Sequence, residues 1–148
     1  MTAVLALPPA FPARIRIFAD KSFQLDEAGA LAVLLPVELD REIEIDTVAW
    51  TPDRPRRCFF ERHIATHLGD RALRRAQWYQ RPVRLVATPA DWLRDSETVC
   101  VLDWWSCDLR GLFGDVPKVI CASDAQKRFL LRRLAEQVAP RFEIEVVR

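Results

Sequence analysis

The sequence predicts an α/β or α+β fold, with an N-terminal antiparallel meander and C-terminal βαβ units in a mixed sheet on which helices pack. Segments that alternate polar and apolar residues dominate the first half of the chain, whereas short apolar runs alternate with helical segments in the second half. The length of 148 residues suits one domain with one core. We therefore expect a single globular domain over residues 1–148, in which residues 1–12 form an extended N-terminal arm.

The meander is predicted from three strand-like segments. Residues Arg14–Phe18 alternate with the period of a half-buried strand. The aliphatic run Ala30–Val37 and the alternating run Ile43–Trp50 form a hairpin around a polar loop. After the proline-containing turn at 51–55, Arg57–Arg62 reads as a further strand, although its short length leaves a helix open.

A helix is predicted over Asp70–Gln80, because good helix formers continue up to Arg81-Pro82 and the residue before a proline disfavours helical backbone. Helical spacing directs Leu73, Ala76 and either Tyr79 or Gln80 towards the core. The same spacing directs four long side chains outward or to a rim: Arg71, Arg74, Arg75 and Trp78.

The second half then repeats strand and helix, which predicts a largely parallel sheet with right-handed crossovers. The strands are Val83–Ala87, Thr98–Leu102 and Lys118–Cys121. Thr88 and Ser123 have the sequence context of helix N-caps, and the second of these helices is expected to run through Ala139. The alternating residues Phe142–Val147 predict a final edge strand.

Composition narrows the function classes. The formal net charge is +1, so no global field favours nucleic acid or an anionic membrane. No apolar run is long enough to span a membrane, and the N-terminal residues do not resemble a secretion signal. We expect a cytoplasmic protein with free thiols, and the abundance of arginine and alanine indicates a GC-rich bacterial genome. The four glycines form no dinucleotide, P-loop or serine-hydrolase motif.

The first candidate site follows the buried-looking strand that ends at Leu102. Loops at the carboxyl ends of parallel strands often carry function. Asp103 would lie on that edge, and Ser123 with the helix N-terminus after it would share the edge if the two strands are neighbours. Asp103 with Asp108 or Asp124 could then chelate a divalent cation. The alternative is that these residues only cap turns and helices.

The tandem Trp104-Trp105 is the second candidate. Two consecutive tryptophans in an extended segment cannot both enter one core, so one is expected in a groove or at the surface, where tryptophan is enriched at interaction sites. The alternative is that one packs under the sheet while the other covers a loop.

A third candidate combines Cys58, His63 and His67, three residues of types that bind zinc. The pattern lacks a fourth ligand, which Cys107 could supply, and its spacing differs from that of known structural zinc sites. The alternative is that Cys58 is a core residue and both histidines are solvated. A histidine base acting on Cys107 as nucleophile is a further hypothesis.

The arginines around the first long helix are the fourth candidate. Arg71, Arg74 and Arg75 precede Trp78 and Tyr79, a combination that suits phosphates and stacked bases. Most arginine-rich helix faces are only solvated, and Arg132-Arg133 with Glu136 is read in that way.

Two hypotheses follow. The favoured one is a non-catalytic bacterial accessory or interaction domain that binds a protein or a nucleic acid through the Trp104-Trp105 loop or the arginine-rich helix, without a cofactor. The alternative is a small metal-dependent hydrolase or nucleic-acid-processing enzyme with Mg²⁺ at Asp103, Asp108 and Asp124.

Overall fold

The computed structural model describes residues 10–39, 43–138 and 146–147. Its first half is built of strands and its second half alternates strands with helices, as predicted. The strands are β1 (Phe11–Ile17), β2 (Phe23–Leu25), β3 (Ala30–Leu39), β4 (Ile43–Trp50), β5 (Phe59–Phe60), β6 (His67–Leu68), β7 (Val83–Val86), β8 (Thr98–Val101) and β9 (Val119–Cys121). The helices are α1 (Asp70–Tyr79), α2 (Pro89–Arg94), α3 (Leu109–Phe113) and α4 (Asp124–Val138).

The N-terminal strands form a five-stranded antiparallel sheet in the order β2-β1-β3-β4-β5. The sheet curls until its two ends meet: the Phe60 N–H donates to the Lys21 carbonyl at 2.8 Å, and Ser22 forms an isolated bridge with Phe60. Among the described residues, one side of the curl packs against itself, because its buried cluster comes entirely from this sheet. The members are Ile15, Phe23, Ala32, Leu34, Ala49 and Phe59.

The remaining strands form a second, four-stranded sheet in the order β6-β8-β7-β9. Strands β8, β7 and β9 are parallel, whereas β6 is antiparallel to β8. The α+β fold class is therefore confirmed, with the antiparallel meander and the βαβ units in two sheets. The condition under which Asp103 and Ser123 would lie on neighbouring strands is not met, because β7 lies between β8 and β9.

The second sheet is covered on both faces, which explains why all four residues of β8 are buried. On one face, Leu68, Cys100 and Leu102 pack with Trp92 of α2 against the outer side of the curled sheet. On the opposite face, Val99 and Val101 pack against side chains from three helices. Those side chains are Leu73 and Ala76 of α1, Leu109 and Phe113 of α3, and Leu130 of α4.

The predicted helix caps are confirmed. The Thr88 hydroxyl accepts a hydrogen bond from the Asp91 N–H, and Pro89 occupies the first turn of α2. The Ser123 hydroxyl accepts from the Gln126 N–H at the start of α4. In α1, however, the expectation that Tyr79 or Gln80 faces the core is wrong, since both are exposed. Gln80 adopts a left-handed C-cap, which takes it off the helical spacing.

Two predicted segments fall wholly or partly outside the described residues. The arm at 1–12 is described only from residue 10, and Phe11 and Pro12 already belong to β1. The strand predicted at Phe142–Val147 is described only at its last two residues. In the part of the chain that the structure describes, no helix combines the length and apolarity needed to cross a bilayer.

Candidate functional site

The carboxyl edge of the second sheet is organised around Asp103, which follows β8. The Leu102 and Asp103 N–H groups both donate to the Thr66 carbonyl, so the chain before β6 and the end of β8 are tied together. One oxygen of the Asp103 carboxylate lies 3.0 Å from His63 Nε2. The other accepts from the Trp105 and Ser106 N–H groups at 3.1 and 3.2 Å. The side chain is only 5% exposed, so these contacts fix its position.

The charge of Asp103 is stabilised by these donors. Burial raises the pKa of the carboxyl, but the hydrogen bonds from His63, Ser106 and Trp105 outweigh it and lower the pKa from 3.8 to about 2. The carboxylate is therefore an acceptor at neutral pH, which requires His63 Nε2 to carry a hydrogen. The opposite nitrogen, Nδ1, has no hydrogen-bond partner among the residues that the structure describes.

His63 is held in an unusual position. Its ring stacks on Phe60 with centroids 4.6 Å apart and planes inclined by 10°. Its backbone has φ of +56°, in the left-handed region that few non-glycine residues adopt. The side chain is 38% exposed, so solvent reaches the fixed imidazole, whose Nδ1 has no hydrogen-bond partner among the described residues.

The segment that carries His63 is fastened by Asp46, which is 2% exposed on β4. One Asp46 oxygen accepts from the Thr47 and Arg62 N–H groups, each at 2.8 Å. The other accepts from the Ile64 and Ala65 N–H groups at 2.8 and 3.0 Å. The residues on both sides of His63 are thus bound to one buried carboxylate, which holds the loop in its left-handed turn.

His67 has a different environment. Its Nδ1 lies 2.9 Å from the Thr66 hydroxyl and its Nε2 lies 3.2 Å from the Asp70 carboxylate, with the side chain 10% exposed. The expectation that the histidines are solvated is therefore wrong for His67, whereas the His63 side chain is 38% exposed. The two histidines also differ in backbone, since His63 has left-handed backbone and His67 lies in β6.

Among the described residues, the ligands proposed for zinc and for magnesium do not come together. Cys58 lies in the apolar core, Asp108 caps α3 by accepting from the Gly111 N–H, and Asp124 lies in the exposed first turn of α4. Ser123 caps α4 beyond β9, and β7 separates that strand from Asp103. Within residues 10–39, 43–138 and 146–147, no three His, Cys, Asp or Glu side chains group around a metal position.

The tandem tryptophans divide between packing and exposure, as predicted. Trp104 packs edge to face on Phe129 of α4 with ring centroids 5.1 Å apart. Trp105 is 64% exposed, and the Arg133 guanidinium lies 4.2 Å from the centre of its ring. The same guanidinium donates to the Trp104 carbonyl through Nε and Nη2. Arg133 is buried, so its assignment to a solvated face is wrong: the arginine fastens α4 to the tryptophan loop.

The arginine-rich helix has the predicted exposed face. Residues at positions i, i+3, i+4 and i+7 lie on one side of a helix, and all four on this side are exposed: Arg71, Arg74, Arg75 and Trp78. Trp78 is 83% exposed and Tyr79 is 61% exposed. The Arg81 guanidinium lies 5.1 Å from the centre of the Tyr79 ring.

The cysteine chemistry argues against Cys107 as a nucleophile. All four cysteines have free thiols. Burial raises the pKa of Cys107 to about 11, that of Cys58 to about 12 and that of Cys100 well above its ordinary value. These thiols remain protonated at neutral pH, and His63 is bonded to Asp103 and not to Cys107.

Comparison with known proteins finds no match: no family model, no curated protein and no solved structure matches this chain. The candidate sites therefore rest on chemistry and geometry alone.

Three contacts that shape this edge were not predicted from the sequence. Asp46 reads as a polar position in an alternating strand, His63 pairs with a carboxylate forty positions away, and Arg133 forms an ordinary surface pattern with Glu136. A carboxylate amid the apolar β4 residues offered a signal for Asp46, because a buried charge must be hydrogen-bonded. No local pattern indicates the other two contacts.

Proposed function

We propose that this chain is a binding module for single-stranded nucleic acid, and that the exposed face of α1 forms the contact surface. The observation that carries the proposal is the 83% exposure of Trp78 on the same helix face as three arginines. Exposed aromatic rings stack on bases of any sequence, and guanidinium groups pair with phosphates. The sequence left a protein and a nucleic acid open as partners, and this surface favours a nucleic acid.

The ion pairs of this surface leave it locally cationic. Arg74 bonds to Asp70 and Arg75 bonds to Glu97. Arg71 and Arg81 have no carboxylate within ion-pair distance among the described residues. Among the described residues, four arginines thus face two carboxylates beside Trp78 and Tyr79, although the whole chain is almost neutral. We expect modest, salt-dependent affinity, because a local patch and not a global field attracts the strand.

Fluorescence anisotropy with labelled oligo(dT) and oligo(rU) of about 12 nucleotides, within the usual range of single-strand site sizes, tests the proposal. Trp78→Ala should weaken binding by about 5-fold to 150-fold, because stacking contributes about 1–3 kcal/mol per base. Arg71→Ala should reduce the slope of log K against log salt concentration by about 0.7, as expected for one lost phosphate contact on a single strand.

Matched controls separate this face from general surface effects. Arg94→Ala removes an arginine that is 81% exposed on α2, and Leu131→Ala removes an exposed apolar side chain on α4. Both should bind like the wild type. Dissociation constants above about 10⁻⁴ M for both oligonucleotides at low salt would refute the proposal. Since Trp, Tyr and Arg are also enriched at protein interfaces, that result would redirect the search to a protein partner.

A further inference from the structure

We propose that His63 and Asp103 form an acid–base pair that activates water for the hydrolysis of a neutral carboxylic ester. The pair lies at the carboxyl edge of the second sheet and shares no residue with the α1 face. Asp103 links His63 to the tryptophan loop, because one carboxylate oxygen bonds to the His63 ring and the other accepts from the Trp105 N–H. An exposed aromatic side chain therefore stands in the same turn as the carboxylate that orients the imidazole.

The imidazole is organised before any substrate binds. Asp103 fixes the Nε2–H tautomer, Phe60 fixes the ring plane, and three hydrogen bonds to Asp46 fix the backbone on both sides of His63. A non-glycine residue in the left-handed region costs free energy, and such strain is concentrated at functional sites. A histidine that only filled space would need neither a charged orienting group nor a fixed backbone.

In the proposed reaction, His63 Nδ1 acts as the base. A water molecule gives a proton to His63 Nδ1 while its oxygen bonds to the ester carbonyl carbon. The tetrahedral intermediate then breaks its bond to the alcohol oxygen, and the departing alcohol takes the proton back from the imidazolium. The products are a carboxylic acid and an alcohol, and the enzyme is unchanged. Asp103 stabilises the imidazolium and is a positioning residue in this scheme.

Water is the nucleophile because the protein groups nearby are occupied. Cys107 is 3% exposed and Cys58 is 7% exposed, and burial keeps both thiols protonated. The Thr66 hydroxyl is bonded to His67, and the Ser106 hydroxyl is bonded to the Asp103 carboxylate. Water reaches the half-exposed His63 ring directly.

The charges around His63 favour a neutral substrate. The Asp20 carboxylate interacts electrostatically with His63 from the turn before β2. The chain before His63 borders a cavity of about 260 Å³ whose lining carries three carboxylates and one guanidinium, those of Glu44, Asp46, Glu61 and Arg62. With Asp103, carboxylates outnumber cations here, so a phosphate ester would be repelled. An aryl ester could in addition pack against the exposed Trp105 ring.

Hydrolysis of p-nitrophenyl acetate tests the site, with p-nitrophenyl phosphate as the anionic comparison. The wild type should exceed an equal concentration of free 4-methylimidazole by about 100-fold or more, the usual range for a positioned base. Asp103→Asn should lower kcat at least tenfold with little change in KM. The amide oxygen keeps the bonds from the Trp105 and Ser106 N–H groups, so the NH₂ group donates to Nε2 and holds His63 in the tautomer whose Nδ1 already carries a hydrogen. Asp108→Asn, the matched control in the same loop, should leave the rate unchanged, because Asn is an equally good N-cap.

His63→Gly gives the sharpest test, since glycine tolerates the left-handed backbone at this position and leaves a space the size of the ring. We expect its activity to fall to the background rate and added imidazole to restore it. Retained activity in His63→Gly, a wild-type rate no higher than that of 4-methylimidazole, or faster cleavage of the phosphate ester would each overturn the proposal. Circular dichroism confirms that each variant is folded. Oligonucleotide binding by His63→Gly should match the wild type, which keeps this test independent of the α1 proposal.

Discussion

Asp46→Asn tests whether one buried carboxylate organises the loop that carries His63. The substitution keeps the size of the side chain but replaces one acceptor oxygen with an amide NH₂. If the amide oxygen continues to accept from Thr47 and Arg62, the NH₂ group faces the N–H groups of Ile64 and Ala65, which now lack an acceptor. Two charge-assisted hydrogen bonds are lost. The amide NH₂ group, itself a donor, then faces two backbone N–H donors.

The expected loss follows from these contacts. A hydrogen bond to a charged group contributes about 1.5–3 kcal/mol. The Ile64 N–H is only part-buried and can recover a bond to water, so we take the lower end for both bonds and expect about 3 kcal/mol. That is a large fraction of the 5–15 kcal/mol that typically separates folded from unfolded domains. With an m-value near 2 kcal/mol/M, the urea midpoint should fall by about 1.5 M.

Urea unfolding followed by tryptophan fluorescence and circular dichroism measures this shift. Asp26→Asn is the matched control, because Asp26 accepts a single solvent-facing bond from the Ala28 N–H, and it should change stability by less than about 0.5 kcal/mol. Amide exchange of Ile64 and Ala65 should also accelerate in the Asp46 variant. A midpoint for Asp46→Asn within about 0.3 M of the control would refute the idea that this carboxylate holds the loop.

Three further predictions concern stability and reactivity. Because its folded-state pKa is depressed from 3.8 to about 2, Asp103 should contribute about 2 kcal/mol at neutral pH that is lost as the pH falls from about 4 to 2. The stability difference between wild type and Asp103→Asn should shrink in that window, and a difference independent of pH would contradict the assignment. Gly69→Ala should lower the free energy of unfolding by about 2 kcal/mol in thermal denaturation, because φ is +91° and the new Cβ would lie 2.2 Å from the Thr98 carbonyl oxygen. An unchanged midpoint would show that the local backbone relaxes freely. Of the four thiols, Cys121 should react first with a disulfide reagent in the native protein, since it is the least buried. Cys121→Ser should remove the fast phase, and a second fast thiol would count against the burial of the others.

The elements could be predicted because their signals are local. Thr88 followed by Pro89 marks a helix start within two residues, and alternating polar and apolar residues mark β4 as a strand, although its last five residues are all buried. The uniformly apolar β8 indicated a strand covered on both faces, and the structure shows it.

Strand order and the pairing of distant side chains could not be predicted in this way. The chain can place β9 beside β8 or beside β7 with the same local sequence, and only packing of the whole helix layer decides between them. The bond between His63 and Asp103 also depends on the loop that Asp46 holds. Strand β4, the loop at His63 and the end of β8 must therefore all be in place before the site forms. Arg133 illustrates the opposite error: its spacing to Glu136 is typical of a surface, yet the tryptophan loop folds over it.

The closure of the curled sheet has a consequence for how this protein behaves at high concentration. Exposed strand edges are templates on which other chains can add, and they promote aggregation. Here the outermost strands are only three and two residues long, and the backbone groups of Lys21 and Phe60 already bond to each other. Opening that junction would expose the unpaired backbone groups of two edge strands on an apolar sheet. Substitutions that weaken it should therefore favour fibrous self-association at conditions where the second sheet is still folded.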